Sequence, residues 1–144
     1  MKILVDADAC PVKEVIIKVA KEYNVEVIMA LDSAHVYDDD YATVHILDKG
    51  FDSVDYFILS KTDKGDIVVT GDYGLAALVL TKEGIPISPN GLVFKNNNID
   101  SLLLSRYKGI KTRKSGNRTK GPPKRSKQDD IIFKESLIDI IKQK

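Results

Sequence analysis

A short apolar run, Lys2-Ile3-Leu4-Val5, breaks into Asp6-Ala7-Asp8, and Cys10-Pro11 follows at once. No other passage constrains the fold as tightly. Alternation along a strand puts Asp6 and Asp8 on one side of the chain. Pro11 suits the first position of a helix, where no amide donor is needed. The passage predicts a strand, an acidic turn and a helix. We expect this strand at the centre of a sheet and the turn to form half of a metal site.

The pattern downstream supplies the rest of that sheet. Val12, Val15, Ile16, Val19 and Ala20 recur at helical spacing, which predicts a helix over about 11–23. Strands are expected over 25–30, 43–47 and 67–70, helices over about 52–62 and 72–82, and an edge strand over 85–88. Ile67-Val68-Val69-Thr70 has the continuous apolar character of a strand buried on both faces of a parallel sheet. Pro86 cannot donate to a central ladder, hence the edge position. A further helix is expected from Ile99 to Tyr107, and Ser126 to Asp129 fits a capping box ahead of Phe133, Leu137, Ile138 and Ile141. This alternation predicts an α/β three-layer sandwich with a mostly parallel central sheet. One domain over 1–144 is expected, with a body over 1–107, a basic mobile loop over 108–128 and a C-terminal helix over 129–144.

Charge is unevenly spread. The net charge is +1, yet Arg106 to Lys127 carry ten Lys/Arg and no Asp/Glu. That leaves twelve cations against twenty-one anions, a net −9, on the remainder. Such an arm suits sequence-independent phosphate contact, with Lys111, Arg113, Lys114, Arg118, Lys120, Lys124 and Arg125 as the contacting residues. Tyr107 is its lone aromatic, so contact with a nucleic-acid backbone is expected rather than stacking on bases. With one cysteine, no apolar run of membrane-spanning length and no cleavable leader, a cytoplasmic address is expected and a disulfide framework or membrane anchor is not.

Ligands of open α/β sheets bind beyond the carboxyl ends of the strands, where strand order reverses. Asp6 and Asp72 both fall at such ends, and the helix carrying Asp52 and Asp55 starts at the same edge. Asp6, Asp8, Asp55 and Asp72 are therefore expected to converge. Crowded carboxylates need shared protons or a bound cation, and hard oxygen donors suit Mg²⁺ or Mn²⁺ rather than zinc. Each acid also has a plainer role, and Asp6 and Asp8 can be caps at the turn into Pro11. Asp72 can cap the helix at Tyr73, Asp55 can favour a helix start by charge, and Asp52 reads as a cap. Asp66 should lie on the opposite edge, about 16 Å from Asp72. Asp38 to Asp40 read as solvated loop charge, Cys10 as a small buried residue, and His35 and His45 as unneeded for the chemistry.

Five passages carry a resemblance: Val5 to Pro11, Gly50 to Asp55, Gly65 to Ala76, Ser88-Pro89-Asn90-Gly91 and Lys120-Gly121-Pro122-Pro123. Together, in order along nearly the whole chain, they resemble the YaiI/YqxD family of bacterial proteins. That family is similar to PIN-like domains, many of them Mg²⁺- or Mn²⁺-dependent ribonucleases. The resemblance implies a PIN-like fold, with Asp6, Asp55 and Asp72 as catalytic metal-holding acids, Asp8 as an added ligand, and RNA or single-stranded nucleic acid as partner. PIN domains often carry glutamate where this chain has Asp55. The leading expectation is a metal-dependent phosphodiesterase. A nucleic-acid-binding module without turnover is the first alternative. A small-molecule phosphatase of the haloacid-dehalogenase kind is the second, which shares Asp-x-Asp after a strand. That kind usually has threonine or valine where Cys10 stands, and a second acid four residues after Asp72, where this chain has Ala76.

Overall fold

A computed structural model describes residues 1–8, 10–32, 38–47, 53–114 and 125–143, with 53 and 106–114 described by their backbone alone. The elements run β1 (Lys2–Asp6), α1 (Lys13–Tyr23), β2 (Glu26–Asp32), β3 (Thr43–Leu47), α2 (Ser53–Lys61), β4 (Ile67–Val69), α3 (Tyr73–Thr81), β5 (Ile85–Ile87), α4 (Asn96–Lys114) and α5 (Lys127–Lys142).

The described strands form one sheet in the order β3-β2-β1-β4-β5, and their pairings are parallel. β1 is thus central, as its apolar run predicts, and β5 with Pro86 lies at an edge. Side chains alternate between two cores. Ile3 and Val5 of β1, with Ile67 and Val69 of β4, face the helices α1 and α5. Leu4 and Val68 face the other way, against Ile58 of α2 and Leu75 and Val79 of α3. Helices on both faces make three layers. α4 packs outside α3, where Ala76, Phe94 and Ile99 form a smaller core.

α5 is built as its sequence predicts. The Ser126 hydroxyl accepts from the Asp129 amide, and the Asp129 carboxylate accepts from the Ser126 amide, completing a capping box. Such a cap contributes about 1 kcal/mol. Phe133 and Leu137 are fully buried within the α1 side of the core, each contributing about 1.5–3 kcal/mol by burial.

Several boundaries differ from the sequence reading. α1 begins at Lys13 rather than Pro11. The Cys10 amide closes a turn onto the Ala7 carbonyl, and Val12 is held at φ −117°, ψ 20°, outside the helical region. β2 runs on to Asp32 because β3 pairs with it as far as Asp32↔Leu47. α4 begins earlier, at Asn96. There Asn98 accepts from the Lys95 amide and donates to the Val93 carbonyl, tying down the first turn. It also continues to Lys114, so 108–114 are helical rather than loop. Lys and Arg propagate a helix nearly as well as Ala, which offsets the roughly 1 kcal/mol cost of Gly109. Asp39 is not merely solvated charge. It accepts from the Tyr41 and Ala42 amides and shapes the entry to β3, and those bonds hold its carboxyl below the ordinary range.

Candidate functional site: a carboxylate crevice at the switch point

Strand order reverses between β1 and β4. The two strands pair from Ile3↔Ile67 to Val5↔Val69, so Asp6 and Thr70 leave the sheet side by side. The Thr70 hydroxyl donates to Asp6 Oδ2 at 3.0 Å and accepts from the Asp72 amide at 3.0 Å. Asp72 is the N-cap of α3, and its Oδ1 accepts from the Gly74 and Leu75 amides at 2.8 and 3.3 Å. Both readings of Asp72 therefore hold geometrically: it caps a helix and it faces the crevice.

Asp8 reaches the same place by another route than strand alternation. β1 ends at Asp6, and the chain turns at Asp8, whose carboxylate accepts from the Asp32 amide at 3.2 Å. Asp6, Asp8, Cys10, Gly71, Asp72, Tyr73 and Pro89 line one cavity of about 500 Å³. Asp55, in the first turn of α2, lies beside it with Asp72 in an adjoining groove. Three segments thus bring Asp6, Asp8, Asp55 and Asp72 to one edge.

The electrostatics agree with that placement. Burial pushes Asp6 up to about 6, and the charges of Asp55, Asp8 and Asp72 push in the same direction, against the Thr70 hydrogen bond. Burial also raises the Cys10 thiol, which disfavours the thiolate that acts as a metal ligand.

Among the described residues, no group of three or more His, Cys, Asp or Glu side chains stands ready to hold a metal ion. The donor chemistry nevertheless fits one kind of ion. Mg²⁺ keeps several of its waters and is held through one or two carboxylates. Asp6 and Asp72, joined through Thr70, offer that arrangement.

Pro89 lines one wall of the crevice, held within the turn Ser88-Pro89-Asn90-Gly91. The Ser88 hydroxyl accepts from the Asn90 and Leu92 amides. Gly91 sits at φ +89°, and a Cβ there would lie 3.0 Å from Ile132 of α5. Arg125 holds this wall from outside. Its Nε donates to Asp130 Oδ1 at 2.8 Å, Nη1 to Asn90 Oδ1 at 2.9 Å and Nη2 to the Pro89 carbonyl at 2.8 Å. Arg125, expected to contact phosphate, also grips the protein through these bonds.

Of the other expected residues, Asp66 lies on the far edge as anticipated. It accepts from the Lys2 amide and forms a 2.6 Å ion pair with the Lys2 ammonium, at 4% side-chain exposure. His45 packs against Phe57, with ring centroids 4.7 Å apart and the rings tilted by 44°. Asp52, His35, Arg118, Lys120 and Lys124 fall outside the described residues, as do the side chains of Lys111, Arg113 and Lys114. Sequence reasoning did not single out Tyr73 and Tyr56. The available signal was adjacency, since each directly follows a candidate acid in the chain. A second cavity, of about 480 Å³, lies beside the amino end of β5 between Ile85, Phe94 and Ile140. It holds none of the four acids.

Fold and edge together define a parallel α/β protein with a carboxylate crevice at its switch point. Residues 4–143 match the model of a family described as "Uncharacterized BCR, YaiI/YqxD family", and the chain belongs to that family. It is 51% identical to a UPF0178 protein of Natranaerobius thermophilus over 143 residues, 99% of this chain and 97% of the relative. A UPF0178 protein of Clostridium tetani is 49% identical over 98% of this chain and 97% of its own length. One of Clostridium kluyveri is 45% identical over 98% and 93%. No solved structure gives a significant match. Among the described residues, no helix is long and apolar enough to cross a membrane.

Proposed function

We propose that this chain is a cytoplasmic, divalent-metal-dependent phosphodiesterase of PIN-like type, acting on RNA or single-stranded nucleic acid. The observation that carries the reading is the Asp6–Thr70–Asp72 connection, which joins acids from two strand ends at the point where ligands of such sheets bind. Asp6 and Asp72 would hold Mg²⁺ or Mn²⁺ directly, and Asp8 and Asp55 would bind it through its waters. The ion, when bound, supplies a polarised phosphoryl oxygen and an activated water. Thr70 orients the Asp6 carboxylate, and Asp72 is fixed by the α3 amides. The basic segment supplies phosphate contacts that the acidic body lacks, and Arg125 anchors its C-terminal end at the crevice wall.

The test is cleavage of labelled RNA with Mn²⁺ by wild type, Asp6→Asn and Asp72→Asn. Turnover by wild type, abolished in both variants, is expected. Equal background in all three defeats the proposal.

One observation favours a second reading, a binding module without turnover. Asp72 Oδ1 already serves two helix amides, which leaves fewer donors for an ion. That reading expects salt-dependent RNA binding unaffected by chelator. The phosphatase reading draws less support, since Ala76 is fully buried where that chemistry needs a second acid.

A further inference from the structure

α2 turns Ile58 into the core, with Val54 and Phe57 packed against it, and leaves Tyr56 on its outer side at 77% exposure. Across from it on α3, Leu78 is 50% exposed. Between the two helices runs a groove of about 340 Å³ lined by Tyr56, Leu59, Leu75 and Leu78, and bounded by Asp55 and Asp72. Asp72 also lines the carboxylate cavity with Asp6, so groove and cavity adjoin through one residue.

We infer that this groove is a base subsite: Tyr56 stacks a nucleobase of a single-stranded RNA whose backbone passes the Asp6–Asp72 edge. The inference rests on the phosphodiesterase reading for its substrate class. Charge decides what occupies the groove. Among the described residues no cation lines the groove to receive a phosphate, whereas an uncharged aromatic ring would cover the exposed side chains of Tyr56 and Leu78. Every base has such a face, so stacking adds affinity without sequence preference. A phosphate monoester of a small molecule would leave the groove empty. The basic segment suits gripping a backbone, and Tyr107 is its lone aromatic.

The experiment measures fluorescence anisotropy of a short labelled uridine oligomer and of an abasic oligomer of the same length. Ca²⁺ is present so that the strand is not cut. Wild type, Tyr56→Ala and Tyr56→Phe are compared. Because Tyr56 is exposed, matching melting temperatures will verify that the variants fold. Tyr56→Ala should bind the uridine oligomer about tenfold more weakly, and Tyr56→Phe within about twofold of wild type. The abasic oligomer should bind all three alike. Unchanged binding by Tyr56→Ala, equal losses in both variants, or no binding by wild type each overturns the inference. RNA cleavage that needs Asp6 but ignores Tyr56 would sink the base subsite alone. Tyr56-dependent binding without turnover would sink the hydrolase reading alone.

Discussion

Thr70 Oγ1 donates to Asp6 Oδ2 at 3.0 Å, linking two strand ends that lie 64 positions apart in the chain. The same hydroxyl accepts from the Asp72 amide, and Thr70 is only 1% exposed. One buried side chain therefore sets the relative position of two of the four acids.

Replacing it tests that arrangement. Thr70→Val keeps the volume but strips the Asp72 amide of its acceptor and Asp6 of its donor. A loss of about 1–3 kcal/mol is expected in urea unfolding, with Thr70→Ser losing less. The Asp6 carboxyl, freed of the bond that lowers it, should titrate above its wild-type value by NMR. A Val variant as stable as wild type would contradict the role given to Thr70.

The strained ionisation of Asp6 has a pH signature. Its folded value of about 6 lies above the ordinary 3.8. The favourable contribution is full below the lower value and is lost as pH rises through the upper one. Asp6→Asn carries no such charge and still offers Thr70 an acceptor. Its stability relative to wild type should climb by roughly 2 kcal/mol between about pH 4 and pH 7, then level off. A difference flat across that window would refute the burial of a charged Asp6.

Cation binding should be visible without any substrate. Mn²⁺ at about 100 times its dissociation constant would stabilise the wild type by about 2.7 kcal/mol at neutral pH. The gain should shrink near pH 5, where Asp6 holds its proton, and in Asp6→Asn and Asp72→Asn. Melting curves indifferent to Mn²⁺ and to chelator would remove the metal from the proposal.

Arg125 separates a structural cation from a phosphate contact. Its Nε, Nη1 and Nη2 atoms are each engaged with Asp130, Asn90 or Pro89. Arg125→Lys cannot reproduce that fork, so it should melt lower, and nearly as low as Arg125→Ala. In Arg125→Ala, which removes the charge, the salt dependence of RNA binding should keep its slope. A slope reduced by about one unit would show that Arg125 neutralises a phosphate after all.

The chain's own order of residues was enough to determine its elements and the sheet's character. Helical spacing in Val12 to Ala20, the apolar run of Ile67 to Val69 and the Ser126 capping box are local signals, and local sterics and hydrogen bonding answer them. The convergence of Asp6 and Asp72 was also legible, because both follow parallel strands. Where local rules compete, the reading slipped: the basic composition after Tyr107 suggested a loop, while helix propensity carried α4 to Lys114.

Tertiary structure alone decided the rest. Which strands flank the central β1, β2 on one side and β4 on the other, depends on burying Ile3, Leu4 and Val5 on both faces at once. The Thr70–Asp6 bond, the Arg125 grip on Pro89 and the groove beside Tyr56 exist because packing brings distant segments together. Side-chain chemistry is written residue by residue, but which residues become neighbours is chosen by the whole core.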